Sequence, residues 1–433
     1  MSIPETNAAE SVKLFQCGRN RVVASTVIYH RGGDGPDPAR AGRQQNLRDH
    51  NLTLIYRQIA AAGSRPVSRA DIATSTGLTR ATVSRIVEEL IHGKLVAEMA
   101  PEPRSGAGRP PTGLRLSREG PAGLGLEVRE NYLASCIVDL TGTVRHRAIS
   151  AGDYASQRPE EVLAAIAAMA DSAIAGAHDD NMTVVGATLA VPGLVDGRRL
   201  VRFAPRLGWR DVDAGQVLAD ALPALAGPVT VDNEANLAAL GEMYAGEEQL
   251  THFLYVSGDT AIGAGIVIDG QLMRGARGWS GELGHVRVDR DGPACHCGSR
   301  GCLEGYAGFD AFRRAGDLPV SPELVAAIAA LADAGSPAVL AALDRGALAL
   351  GTVLAGLVNV FDFNTIILGG GYAVLASWLT DTVQSVLDAR VITTRWGAVE
   401  VRPALLGPDA AVIGAALTVV EAVRRHPPLW LAK

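Results

Sequence analysis

The sequence predicts an α/β protein: an N-terminal winged helix-turn-helix followed by a two-lobed α/β domain that carries a zinc-braced loop. Three observations predict it. Between Asn51 and Arg118 three capped helical segments precede a hairpin; from about Gly120 strands and helices alternate; and GELGHVRVDRDGPACHCGSRGCLE, from Gly281 to Glu304, gathers metal ligands and carboxylates into two dozen residues.

At 433 residues the chain exceeds one ordinary core, and two or three domains are expected. Its 48% hydrophobic and 20% charged residues, with Pro and Gly in no repeat, describe a globular protein and exclude a fibrous one. No uncharged apolar run reaches the roughly 18 residues of a membrane span, and the N-terminus has no hydrophobic signal core. The expectation is a cytoplasmic protein without a membrane partner. Three of the five cysteines cluster, leaving Cys17 and Cys136 far apart, a pattern that favours metal over disulfides. The net charge of −6 hides an asymmetry. From Arg40 to Arg118 thirteen Lys or Arg face six Asp or Glu, about +7, leaving the remainder near −13. A basic segment of that size is the footprint of a nucleic-acid-binding module, although composition alone fits a solvated basic surface equally well.

Residues 1–43 show little apolar periodicity and include RGGDGPDPARAG, which reads as a flexible leader. Residues 44–118 form the predicted DNA-binding unit. Leu52, Ile55, Tyr56 and Ile59 recur at helical spacing from Asn51 to Gly63, a C-terminal cap. Ser68 with Asp71 reads as a capping box opening a second helix that Gly77 closes. Thr79 caps a third, whose Val83, Ile86, Val87, Leu90 and Ile91 make an apolar stripe ending at Gly93. LVAEM and GLRLS then pair as a hairpin around PEPRSGAGRPP, a wing. On the third helix, opposite the stripe, Arg80, Thr82, Ser84 and Arg85 suit phosphates and base edges in a major groove. In the wing tip, Arg104 and Arg109 sit among small residues that let the backbone approach DNA. The competing reading is a three-helix protein-interaction module with a mobile loop; capping, spacing and basicity together favour DNA.

Residues 119–433 read as two lobes, the first about 119–245 plus the C-terminal helix, the second about 246–400, with a cleft between them. LGLEV and YLASCIVDL, turning at Leu140-Thr141-Gly142, give an antiparallel start; a helix over Glu160–Ala175, the strand VVGATLAV, and the later strands HFLYVSG and TIILGGG follow. Tandem lobes related by internal similarity are compatible with this pattern, although no clear sequence repeat is visible. In the metal segment, Cys295, Cys297 and Cys302 form C-x-C-x4-C, with His285 ten residues before the first thiol. Three thiolates and one imidazole are the donor set of a closed, structural zinc site. His296, between two thiols, is the alternative imidazole, awkward beside its neighbours. Glu282 and Glu304 flank the cluster. Carboxylates accept paired hydrogen bonds from vicinal hydroxyls, so an array of them makes a polyol site; support of the metal ligands is their bland alternative. Asn233 in VDNEAN reads equally as a helix cap. Glu242 reads as structural, and Trp209 and Trp279 as core rather than sugar-stacking residues.

TAIGAGIVIDGQLMRGARGWSGELGH and CHCGSRGCLE resemble the ROK family of transcriptional repressors and sugar kinases, and the resemblance runs from about Asn46 to Val420. It implies an actin-like fold for the two lobes, a homodimer or homotetramer, operator DNA as partner and a small sugar as effector. The N-terminal winged helix, with its GRPP stretch, is similar to that of the repressor branch. The resemblance places Asn233, Glu234, Glu282, His285 and Glu304 on the sugar, with His285 also on the zinc. The family's kinases carry a glycine-rich phosphate loop of the type D-x-G-G-T; here Glu127-Val128-Arg129-Glu130-Asn131 has no glycine and two carboxylates. Their second phosphate segment is Gly258-Asp259-Thr260-Ala261 here, and their catalytic aspartate is Glu234, one methylene longer. No catalytic residue is therefore expected: the site is built to bind sugar, not to phosphorylate it. An active sugar kinase with a DNA-binding appendage is the alternative.

Overall fold

The computed structural model describes residues 38–431 apart from Ser64, 100–111, Arg198, 247–249, Thr260 and Pro322, with side chains from Gln45 onward. Most of the expected leader, and the wing tip with Arg104 and Arg109, lie outside the described residues.

Helix α1 (Pro38–Ala61) begins inside the stretch expected to be leader and thirteen residues before Asn51. Its first turns carry no apolar periodicity, so nothing in the pattern marked them; a proline is tolerated at a helix start, where its missing N–H has no partner to lose. Strand β1 (Val67–Ser68) leads into α2 (Arg69–Thr76), where Ser68 and Asp71 exchange both bonds of a capping box and Gly77 closes the helix at φ 71°. The hydroxyl of Thr79 accepts from the Thr82 N–H to open α3 (Arg80–His92), whose Val83, Ile86, Val87 and Leu90 are buried. Strands β2 (Val96–Met99) and β3 (Gly113–Leu116) pair antiparallel, and β1 adds to β3. This is the element order of a winged helix-turn-helix. It is not an independent body, however. One apolar cluster joins Leu52, Ile55, Ile86 and Leu90 to Cys136 and Val138 further along the chain, and to Val412 and Leu417 near its end.

The first lobe opens on a meander, β4 (Gly120–Val128), β5 (Tyr132–Asp139) and β6 (Val144–Ala151). Its β5–β6 turn is set by Asp139, whose Oδ1 accepts from the N–H groups of Thr141 and Thr143, with Gly142 at φ 85°. Helix α4 (Pro159–Asp179) then crosses to β7 (Met182–Val191); a small sheet of β8 (Leu194–Asp196), β9 (Leu200–Ala204) and β10 (Trp209–Val212) follows. Helix α5 (Ala214–Ala221), β11 (Val229–Asn233) and α6 (Glu234–Ala245) complete this half.

The second lobe repeats the plan. Strands β12 (Phe253–Gly258), β13 (Ile262–Ile268) and β14 (Gln271–Leu272) form a meander, followed by helices α7 (Glu304–Ala307), α8 (Phe309–Ala315), α9 (Leu324–Asp333) and α10 (Pro337–Phe361). Strand β15 (Thr365–Gly370), helices α11 (Gly371–Val374) and α12 (Ala376–Arg390), strand β16 (Glu400–Pro403) and helices α13 (Ala410–Arg425) and α14 (Pro427–Leu431) close the chain. The sheet orders are β11-β7-β4-β5-β6 and β14-β13-β12-β15-β16. In each, an antiparallel meander accepts two further strands in parallel beside its first strand. The duplication is one of topology, hidden in sequence because α4 alone fills the crossover of the first lobe where a long loop and four helices fill that of the second. Helices α4 and α10 are long and apolar enough to cross a membrane by length and composition, but here α4 packs on the first sheet and α10 against α12.

Two helices bind the lobes together. Helix α13 lies on β4, β5 and β7 of the first sheet, while α6 packs on β12 and β13 of the second, and the two helices cross. Helix α6, which sequence order assigns to the first lobe, thus belongs by packing to the second. Crossing at this distance needs glycines. A Cβ on Gly414 would stand 1.9 Å from the Leu237 carbonyl oxygen, and one on Gly241 would stand 2.8 Å from that of Ala410. Gly414→Ala gains helix propensity worth about 1 kcal/mol but forces these backbones apart. We expect it to lower stability by about 1–3 kcal/mol, the usual cost of overpacking, in urea unfolding; an unchanged midpoint would show that the crossing is loose.

Candidate effector cleft and metal centre

The metal segment folds back on itself. The Val288 N–H donates to the Gly301 carbonyl (2.7 Å), the Leu303 N–H to Val286 (2.9 Å) and the Cys295 N–H to Ser299 (2.9 Å). This brings His285, Cys295, Cys297 and Cys302 together, with one ligand atom of each within 4.8 Å of the others. His296 is not in the group. The Cys297 and Cys302 sulfurs are 3.7 Å apart, and the Cys295 sulfur is 3.7 Å from His285 Nδ1. Tetrahedral ligation at a Zn–S distance of about 2.3 Å separates two sulfurs by about 3.8 Å, so the spacing fits a zinc ion, and all four cysteines among the described residues are free thiols. With Nδ1 turned to the sulfurs, His285 keeps Nε2 for another partner.

The same loop presents its carboxylates. Glu282 precedes the short turn Leu283–His285 and Glu304 opens α7. Desolvation raises the Glu282 carboxyl above its ordinary value, with His285 opposing and Glu304 adding to the rise, so these three groups share one electrostatic neighbourhood. Arg206, from the first lobe, reaches to 3.9 Å of Glu304.

A second cluster sits where the phosphate loop was expected to fail. Arg129, on the turn after β4, has a side chain only 8% exposed and meets three carboxylates: Glu127 at 2.7 Å, Glu234 at 2.9 Å and Asp259 at 3.2 Å. The Tyr132 hydroxyl also donates to Glu127 (3.2 Å). Burial disfavours the guanidinium charge, but Glu234, Tyr132, Glu127 and Asp259 more than reverse this, and Arg129 stays cationic. Burial lifts the Glu234 carboxyl to about 7; Arg129 opposes that rise, while Asp259, Glu127 and Glu130 add to it. Of the two carboxylates of Glu127–Asn131, Glu127 is paired with Arg129, which links the first sheet, the α6 N-terminus and the β12–β13 turn. The sequence held a signal for this pairing, an arginine between two glutamates at a strand end, but the long-range partners Glu234 and Asp259 were not legible.

Asn233 is the cap of α6. Its Oδ1 accepts from the N–H groups of Ala235 (2.9 Å) and Asn236 (3.3 Å), and its Nδ2 donates to the Gly193 carbonyl (3.1 Å), which leaves one amide hydrogen for a ligand. Strand β13 is the wall shared by the two clusters. Gly263 faces Ala235, next to Glu234, and the Ala264 N–H donates to the Gly281 carbonyl (2.8 Å), next to Glu282. Glu242 accepts from the N–H groups of Leu405 (2.9 Å) and Leu406 (2.8 Å), tying α6 to the segment before α13. Trp209 is wholly buried, and Trp279 is half-buried under the Arg277 guanidinium, 5.5 Å from the ring centre. A recess of about 270 Å³ lined by Asp232, Arg274 and Thr418 includes none of the cleft carboxylates.

On α3 the candidate DNA-contacting residues divide. Arg80 and Arg85 are exposed, Arg85 at 3.2 Å from Glu89 one turn on. Thr82 is drawn into the cap, its hydroxyl 2.9 Å from that of Thr79, and Ser84 is half-buried. The exposed basic edge of the helix is thus carried by its two arginines, of which Arg85 is paired with Glu89.

Comparison with known proteins follows the same lines. The ROK family profile matches residues 123–422. The xylose repressor of Bacillus spizizenii is 30% identical over 385 residues, which cover 87% of this chain and 97% of the repressor. A crystal structure of a ROK family transcriptional regulator, a homologue of the E. coli MLC protein, superposes with a TM-score of 0.71 at 24% identity, covering 89% of this chain and 100% of that one. The ROK family glucokinase of Streptomyces griseus, crystallised with glucose and AMPPNP, superposes with a TM-score of 0.58 at 28% identity over 69% of this chain and 98% of its own. The kinase covers 69% of this chain, whereas the repressor and the regulator cover 87% and 89% of it, and this chain belongs to the ROK family, in its repressor branch.

Proposed function

We propose that this protein is a sugar-responsive transcriptional repressor whose kinase-like cleft binds a sugar without phosphorylating it. The observation that carries this reading is the Arg129 cluster. A guanidinium neutralised by Glu127, Glu234 and Asp259 occupies the ground where a kinase needs glycine N–H groups open to phosphate oxygens. The same ion pair claims Glu234. Glu234 is thereby tied to Arg129 at 2.9 Å, at the position where the family's kinases carry a catalytic aspartate one methylene shorter.

In this reading the sugar lies along β13, with Asn233 and Glu234 on one side and Glu282, His285 and Glu304 on the other. Zinc, bound by His285, Cys295, Cys297 and Cys302, fixes the loop that presents Glu282 and Glu304. Arg80 and Arg85, with Thr82, Ser84 and the wing arginines Arg104 and Arg109, contact operator DNA. Two copies or four bind a two-fold-symmetric site, and the sugar releases them, since an effector acts through its differential affinity for the two states. The named relatives make xylose the first sugar to test.

The Glu282 carboxylate is expected to act on the sugar alone. Glu282→Ala should weaken sugar binding at least tenfold by calorimetry and leave affinity for operator fragments selected from genomic DNA unchanged without sugar. Unaltered sugar affinity would make Glu282 a support of the loop. Cys297→Ser should lower bound zinc well below one per chain by elemental analysis and abolish sugar-induced release of DNA. A variant that lost zinc but kept full release would separate the metal from the response.

A further inference from the structure

We infer that the recess between α1, β3 and α13 is a second ligand site, built for a small phosphate-bearing anion and separate from the sugar cleft. The recess measures about 960 Å³ and is walled by Arg57 of α1, Arg115 and Arg118 at and just beyond β3, and Arg424 and Arg425 of α13. Among the described residues a single carboxylate, Glu421, faces these five cations, and it is already paired with Arg425 at 3.0 Å and Arg424 at 3.9 Å. The side chains of Arg57, Arg115 and Arg118 make no ion pair or hydrogen bond among the described residues. Like charges gathered in one concavity repel, and an anion relieves that repulsion; guanidinium groups suit phosphate because their paired N–H donors match its oxygens.

An independent observation points to a ligand. Tyr56 lines the same recess, its side chain is wholly buried, and its hydroxyl has no hydrogen-bond partner. Burial raises its pKa, so the group is a donor at any physiological pH. A buried polar group left unpaired typically costs about 1–3 kcal/mol, and the charged neighbours of this hydroxyl, Arg424 and Glu421, also line the recess. Thr141 and Thr143, on the β5–β6 turn, supply further hydroxyls to the wall. The volume lies within the range of small-molecule sites, roughly 300–1,000 Å³. The lining shares no residue with the Glu234 or Glu282 clusters, and an anion bound there touches the helical unit through α1 and β3 and the two-lobed domain through α13. It would hold the two together and bias DNA binding independently of the sugar.

The test is calorimetry of the full-length protein with inorganic pyrophosphate at fixed ionic strength, on the unaltered chain and on Arg115→Gln and Tyr56→Phe. Arg115 is exposed, and Tyr56→Phe removes only the hydroxyl, so both variants should fold. The expected result is one site per chain, weakened at least tenfold by Arg115→Gln and several-fold by Tyr56→Phe, with sugar binding unchanged in both. Absence of pyrophosphate binding, or binding that neither variant alters, would overturn the proposal. So would a third result: pyrophosphate affinity unaffected while Arg115→Gln weakens DNA binding and shallows its salt dependence by about one unit, which would make these arginines contacts to the DNA backbone.

Discussion

The crossing of α6 and α13 is the constraint on which the rest of the molecule depends. Each helix follows the last strand of one sheet and packs on the other, so neither lobe has a complete core without its neighbour. Gly241 and Gly414 make the crossing close enough for backbone to meet backbone. Both candidate sites hang from it. Helix α6 starts at Asn233 and Glu234, the latter in the Arg129 cluster. Within α13, Arg424 donates to the Leu140 carbonyl (2.6 Å), and beyond it the Trp430 indole N–H donates to the carbonyl of Gly93 at the end of α3 (2.8 Å). A shift of α6 relative to the second sheet therefore meets, through one packed helix, the segment that sets the position of α3.

Against that frame the cleft is held by charge. Arg129 joins the first sheet to Glu234 on α6 and to Asp259 in the second lobe, and Arg206 approaches Glu304 across the same gap. Removing one partner of a buried ion pair commonly costs 3–5 kcal/mol, roughly, because the survivor stays desolvated. The cluster of three carboxylates around one guanidinium thus ties the first sheet, the α6 N-terminus and the β12–β13 turn to one another. Hydrogen-bonding capacity remains beside it: Asn233 keeps an amide hydrogen and His285 keeps Nε2.

Much of this was legible in the sequence because it is local. The capping box of Ser68 and Asp71, the Thr79 cap, the Gly77 stop and the C-x-C-x4-C spacing are all chemistry within a dozen residues, and each appears where the pattern put it. The pattern failed where the physics is long-range. The lobes share a topology that the unequal crossovers conceal, α6 leaves its own lobe to pack on the other, and Arg129 finds partners more than a hundred residues away. The first turns of α1 were missed for a different reason, since a polar helix without an apolar stripe carries no periodic signal.

The central claim is that this cleft binds a sugar and transfers no phosphate to it. The most direct measurement titrates xylose and a panel of hexoses into the zinc-loaded protein by calorimetry, with and without MgATP, and assays the same mixtures for phosphorylated sugar. Heat is expected from a sugar alone, with no change on adding ATP and no product. ATP binding with formation of a sugar phosphate would contradict it and show that Arg129 yields its carboxylates to the nucleotide.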